Sequence, residues 1–178
     1  MTVTRTGREQ ASRALLLGQE LVVRAGAAAA QGDRPTAAAL YLCAADHLAA
    51  SEAGDGRAAF QAHRAAWEGF VSQTSWAVER LDIPYAHASL PGWLFRPGDA
   101  LHPRPVLVLD DDVDVPISER WRCAPVALEG GIGVLLFDGP RQHSAALTHV
   151  VRYLATRADV HEIRIALNDH RRDELSQR

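Results

Sequence analysis

Four aspartates, Asp110, Asp111, Asp112 and Asp114, crowd into five positions directly behind the apolar run Val106–Leu109. Carboxylates this close suppress each other's ionisation, so one of them can hold a proton near neutrality and act as a general acid or base. Oxygen ligands in such number also suit Mg²⁺ or Ca²⁺. A solvated acidic turn that caps the following helix is the commoner use, and we assign no metal. A second apolar run, "IGVLLFDGP", leads through Asp138 to Arg141 and His143. Histidine moves protons near neutral pH and arginine grips carboxylates with a planar fork, though Arg141 serves equally as the partner of the acids in an ion network. We therefore expect catalytic roles for Asp111, Asp112 and His143, and binding roles for Asp110, Asp114, Arg141 and Asp138. Trp93, in "LPGWLF", is the best pocket-lining candidate among the four tryptophans. Asp46 with His47, and the tail residues His170, Arg171 and Arg172, receive no role. In an alanine-rich helix a polar pair such as Asp46 and His47 more often serves packing than chemistry.

The elements that would position these groups follow from periodicity. Residues 8–81 read as helices: "EQASRALLLGQELVVRAG" with Gly26 as its stop, a second opened by Pro35 and ended by Gly54, and a third that runs to Leu81. The third helix places Phe60, His63, Trp67, Phe70 and Trp76 near one stripe. At Asp82 prolines and glycines appear among β-forming residues, and "LDIPYAHASLPGWLFRPGD" reads as two short strands or a hairpin. "RPVLVLDDD", "IGVLLFDGP" and "IRIAL" read as buried strands, separated by the helices "PISERWRCAPVALEGG" and "SAALTHVVRYLATR". Pro125 should kink or break the first of these helices. Alternating strands and helices give a parallel sheet with right-handed crossovers. The expected architecture is α/β, with an N-terminal helical region over 1–81 and a sheet region over 82–178 of about five strands, three of them parallel. The charged candidates then follow the carboxyl ends of parallel strands, where ligands of α/β sheets bind.

Bulk properties narrow the partners. A net charge of −3 over 178 residues leaves no basic footprint, which argues against nucleic acid. The chain starts without an apolar signal core, and its longest small-residue run is far too short to cross a bilayer, so a cytoplasmic protein with no membrane partner is expected. Cys43 and Cys123 sit in apolar helical contexts and read as buried, reduced thiols.

The ordered motifs "YLCAADHLAA", "LDIPYAHASLPGWLFRP", "RPVLVLDDDVD", "ALEGGIGVLLFDGP" and "VVRYLATRADVHEIRIAL" resemble one family. It is the α/β-hydrolase family with an N-terminal helical region, that of 2,6-dihydropseudooxynicotine hydrolase and FrsA-like esterases. The similarity spans roughly residues 35 to 168, and it implies a hydrolase-like sheet. Family members follow "RIAL" with a G-x-S-x-G nucleophile elbow, a strained turn that needs small residues. Carried onto this sequence, the first Gly falls on Asp169, the Ser on Arg171 and the last Gly on Asp173. An arginine cannot serve as the nucleophile. The two glycines after the family's first core strand are here Asp111 and Asp112, which repel an oxyanion rather than stabilise it. The family's "DGPGQG" is here "DGPRQH". Asp114 and Glu119 do match the family pattern, although neither belongs to its triad.

The resemblance thus implies a hydrolase sheet truncated before the nucleophile elbow, with serine hydrolysis lost. Two functions are consistent with that. One is a cofactor-free cyclase, isomerase or dehydratase that works on a small apolar biosynthetic intermediate through acid and base residues in an apolar pocket. The other is a catalytically inactive protein that binds a ligand or a partner protein. The strand Ile163–Asn168 would leave one backbone edge unpaired, so a homodimer is expected through that edge or through the helix over 143–157.

Overall fold

A computed structural model describes residues 5–51, 56–98, 102–111, 115–138 and 143–168. The chain divides into two compact units, Met1–Ser75 and Trp76–Arg178.

The first unit is helical: α1 (Arg5–Ala30), α2 (Arg34–Ala50) and α3 (Gly56–Gln73). Helix α1 does not stop at Gly26. An interior glycine costs only about 1 kcal/mol in a helix, and the alanines that follow favour continuation. The stop falls at Gly32, whose φ of +79° suits a residue without a side chain. Asp33 then caps α2 by accepting from the Thr36 N–H at 3.2 Å, with Pro35 in the first turn as expected. Gly54 lies outside the described residues. Small residues bring the helices close. A Cβ on Gly18 would stand 2.6 Å from Leu48 Cγ, and one on Gly69 2.6 Å from the Tyr41 ring. The core joins Leu21, Ala44, Ala45, Leu48 and Ala66. His63, Trp67 and Phe70 of the expected stripe are buried on α3, while Phe60 is 45% exposed.

The third helix ends at Gln73, so residues 77–81 are strand rather than helix. Around the break a serine competes for the backbone: the Ser72 hydroxyl donates to Gly69 O at 2.7 Å. Nine consecutive residue pairs with the next strand, in a hairpin, then outweigh the local helical stripe.

The second unit is built on β1 (Ala77–Tyr85), β2 (Ala88–Arg96), β3 (Arg104–Asp111), β4 (Gly133–Phe137) and β5 (Val160–Asn168). The order across the sheet is β1-β2-β4-β3-β5. Strands β1, β2 and β4 run antiparallel to their neighbours in turn, and β4, β3 and β5 are parallel, which is the expected arrangement. Pro125 breaks the first crossover as its ring geometry requires: α4 (Ile117–Arg120) passes through a 3₁₀ turn at Trp121–Cys123 into α5 (Ala124–Glu129), with Pro125 in its first turn. Helix α6 (His143–Ala155) forms the second crossover.

From β3 the chain steps one way to β4, then returns past β3 to β5, so the two crossovers lie on opposite faces. The packing agrees. Ala146, Val150 and Leu154 of α6 cover Leu81, Ile83, Leu94, Val106, Val108 and Leu135. On the other face Phe95 meets Trp121 with ring centroids 4.3 Å apart. Strand β4 is buried along its whole length, as a strand covered on both faces must be. Cys43 and Cys123 are free but exposed, not buried: each takes the outward side of its helical segment.

Candidate functional site

Register fixes what stands at the carboxyl end of the parallel strands. Asp111 closes β3 opposite Asn168 of β5, and Asp110 stands opposite Leu167. On the other side β4 ends at Phe137, and the Asp138 N–H donates to Pro91 O of β2 at 2.9 Å. Helix α6 opens at His143 on leaving the same end. The backbone therefore gathers Asp110, Asp111, Asp138 and His143 at one edge of the sheet. The order reverses between β3 and β4 here, and ligands of open α/β sheets bind outside the strand ends at such a switch point. Asp112, Asp114 and Arg141 lie outside the described residues, as do His170, Arg171 and Arg172. Among the described residues no group of three His, Cys, Asp or Glu side chains could hold a metal ion.

Trp93 is enclosed in the sheet, 1% exposed, with Leu136 opposite it on β4. It therefore fills the layer beneath the edge. Sequence periodicity carries no sign of Arg120, at the end of α4. Its Nη1 donates to Phe137 O at 3.0 Å and so ties the helix to the last residue of β4. The two residues are 17 apart in sequence, and only the fold brings them together.

A denser charged group occupies the opposite edge, where the parallel strands begin. Arg157 donates from Nη1 and Nη2 to Glu79 at 3.0 and 2.8 Å, and from Nε and Nη2 to Asp159 at 3.0 and 2.9 Å. Arg96 Nη2 donates to Glu79 at 2.9 Å and also to Asp159. The hydrogen bonds from Arg157, helped by Arg96 and opposed by burial, pull the Asp159 carboxyl down to about 2. Burial pushes Glu79 up, but the hydrogen bonds from Arg96 and Arg157 outweigh it and hold that carboxyl below its ordinary range. Two acids and two guanidiniums thus satisfy one another. Such a group clamps β1, β2 and the α6–β5 turn, and its acids are not poised to exchange protons near neutrality.

A five-stranded mixed sheet in the order β1-β2-β4-β3-β5, with crossover helices on both faces and a helical region before it, is the α/β-hydrolase-like fold. Solved structures agree. The structure of 2,6-dihydroxy-pseudo-oxynicotine hydrolase superposes with a TM-score of 0.73 over 93% of this chain and 54% of that one, at 16% identity. That of AbyA5 gives a TM-score of 0.56 over 85% of this chain and 47% of that one, also at 16% identity. The chain spans about half the length of both, and at this identity the likeness is one of fold. No protein-family model and no curated protein sequence matches the chain. No described helix is long and apolar enough to cross a membrane.

Proposed function

We propose that this chain is a non-hydrolytic enzyme on a hydrolase-derived sheet: a cofactor-free cyclase, isomerase or dehydratase acting on a small apolar biosynthetic intermediate. The observation that carries this reading is the convergence of Asp111 and His143 at the carboxyl edge, with Asp110 and Asp138 beside them. Chemistry of this kind needs a shaped pocket and a few groups that exchange protons, without a nucleophile. Asp111, Asp112 and His143 take the acid and base roles. Asp110, Asp114, Arg141 and Asp138 hold polar parts of the substrate, above a layer that includes Trp93. Asp169, Arg171 and Asp173, at the positions of the nucleophile motif, favour a reaction other than serine hydrolysis.

The same three residues also favour a second reading, in which the chain binds a ligand or protein and catalyses nothing. Metabolite profiling of a deletion strain separates the two. Under the first reading the deletion accumulates a precursor, the wild-type gene clears it, and genes carrying Asp111→Asn, Asp112→Asn or His143→Ala do not, although their products fold. If all three variants clear the precursor as wild type does, the site assignment is wrong. If deletion changes no metabolite, the binding reading stands.

A further inference from the structure

Strand β5 is unlike the other parallel strands. Val106 and Val108 of β3 and all of β4 are buried, whereas His161, Glu162, Arg164 and Ile165 of β5 are exposed. Ile165, an apolar residue in the middle of the strand, is 46% exposed. Among the described residues no strand pairs with the outer edge of β5. A row of backbone groups that no described strand pairs, beside an exposed isoleucine, is a template for another strand. The charges decide which strand fits. Glu162 and Arg164 project from one face and are paired along the strand, Arg164 Nε to Glu162 Oε1 at 2.9 Å.

We propose that β5 pairs antiparallel with β5 of a second copy of this chain, about a two-fold axis through Ile163. Opposite residues in an antiparallel pair project to the same face, so only residues of like parity can meet across the axis. With the axis at Ile163, Glu162 of each copy faces Arg164 of the other, and each Ile165 faces His161. Moving the axis by one residue sets Arg164 against Arg164 or Glu162 against Glu162, and like charges directly opposite are unfavourable. The strand is thus charge-complementary to itself in one register and repelled in the two adjacent ones. A closed, isologous dimer results, with one ten-stranded sheet across the axis. Its stability comes from the backbone ladder and the cover over Ile163 and Ile165, and the charged pairs select the register.

Light scattering on the full chain tests this without reference to any activity. At micromolar concentration the wild type should give about twice the 19.4 kDa monomer mass. Glu162→Arg and Arg164→Glu should each lose the dimer, because each sets like charges opposite one another. The double variant E162R/R164E restores opposite charges in the same register and should recover it. Both positions are exposed, so each variant should keep the circular dichroism of the wild type. A monomeric wild type overturns the proposal, as do two single variants that remain dimers. A double variant that folds but stays monomeric overturns the register whatever the single variants do.

Discussion

Both ends of the sheet are rich in acids, but they treat them differently. Where the parallel strands begin, Glu79 and Asp159 are each hydrogen-bonded by both Arg96 and Arg157, and the group is partly withdrawn from solvent. Where the strands end, the chain sets Asp110, Asp111, Asp112 and Asp114 almost side by side, with Asp138 after the neighbouring strand. The first arrangement drives carboxylate pKa values down and locks the ions together. The second sets like charges next to one another in the sequence, with no arginine among them. Acids held far below neutrality stabilise a fold, and acids pushed toward neutrality can trade protons with a substrate. On the proposed function, the difference between structural and chemical use lies in the company each carboxylate keeps.

The largest test of the comparison is at Arg157. Arg157→Ala leaves Glu79 and Asp159 facing each other with Arg96 alone between them. We expect a loss of about 2–3 kcal/mol, below the range for a fully buried pair because both acids are partly exposed. Arg157→Lys keeps the charge but loses the planar fork that grips two carboxylates at once, so it should fall between the alanine variant and the wild type. Urea denaturation followed by circular dichroism measures both. A loss in Arg157→Ala no greater than a few tenths of a kcal/mol would mean that the cluster is surface decoration.

Acid should undo the same edge. The Asp159 carboxyl lies at about 2 in the folded chain against an ordinary 3.8. A depressed folded value means the contribution is complete above about pH 4 and drains away as pH falls toward 2. After allowance for solvent screening it is worth on the order of 1 kcal/mol. Denaturation curves at stepwise lower pH should show this loss in the wild type and a smaller one in Asp159→Asn. Equal slopes for the two proteins would remove Asp159 from the argument.

The two edges also differ in how far the sequence reveals them. An apolar run that ends in charge, such as Val106–Asp111 or Gly133–Asp138, marks both a buried strand and the end of it that carries polar groups. Two crossovers of opposite sense then bring those ends together. The clamp gives no such signal, because its partners are 17, 63 and 78 residues apart, and nothing local distinguishes Glu79 from a surface acid. Residues 77–81 are ambiguous for a related reason. Leu81 stands at helical spacing from Val78 and at strand spacing from Ile83, and pairing with β2 decides between them. Composition marks Gly26 and Gly32 alike, but a helix ends where a positive φ is required, at Gly32, and passes through glycine where it is not. Exposure of Cys43 and Cys123 depends on which side of a helical turn faces the core, and alanine-rich segments show that poorly.

The smallest expected effect on stability falls at the carboxyl edge, and its smallness is informative. Asp111→Asn removes one charge from a run of like charges while keeping the size and polarity of the side chain. If the acids at this edge repel one another, the variant should unfold within about 0.5 kcal/mol of the wild type, or above it. Retained stability with a lost product in metabolite profiling would set Asp111 apart from Asp159, whose neutralisation should weaken the fold. Residues kept for chemistry often carry such a stability cost. A marked loss of stability in Asp111→Asn would instead mean that this carboxylate is held by partners, as Glu79 is. The contrast between the two edges would then fail at the residue on which the catalytic reading most depends.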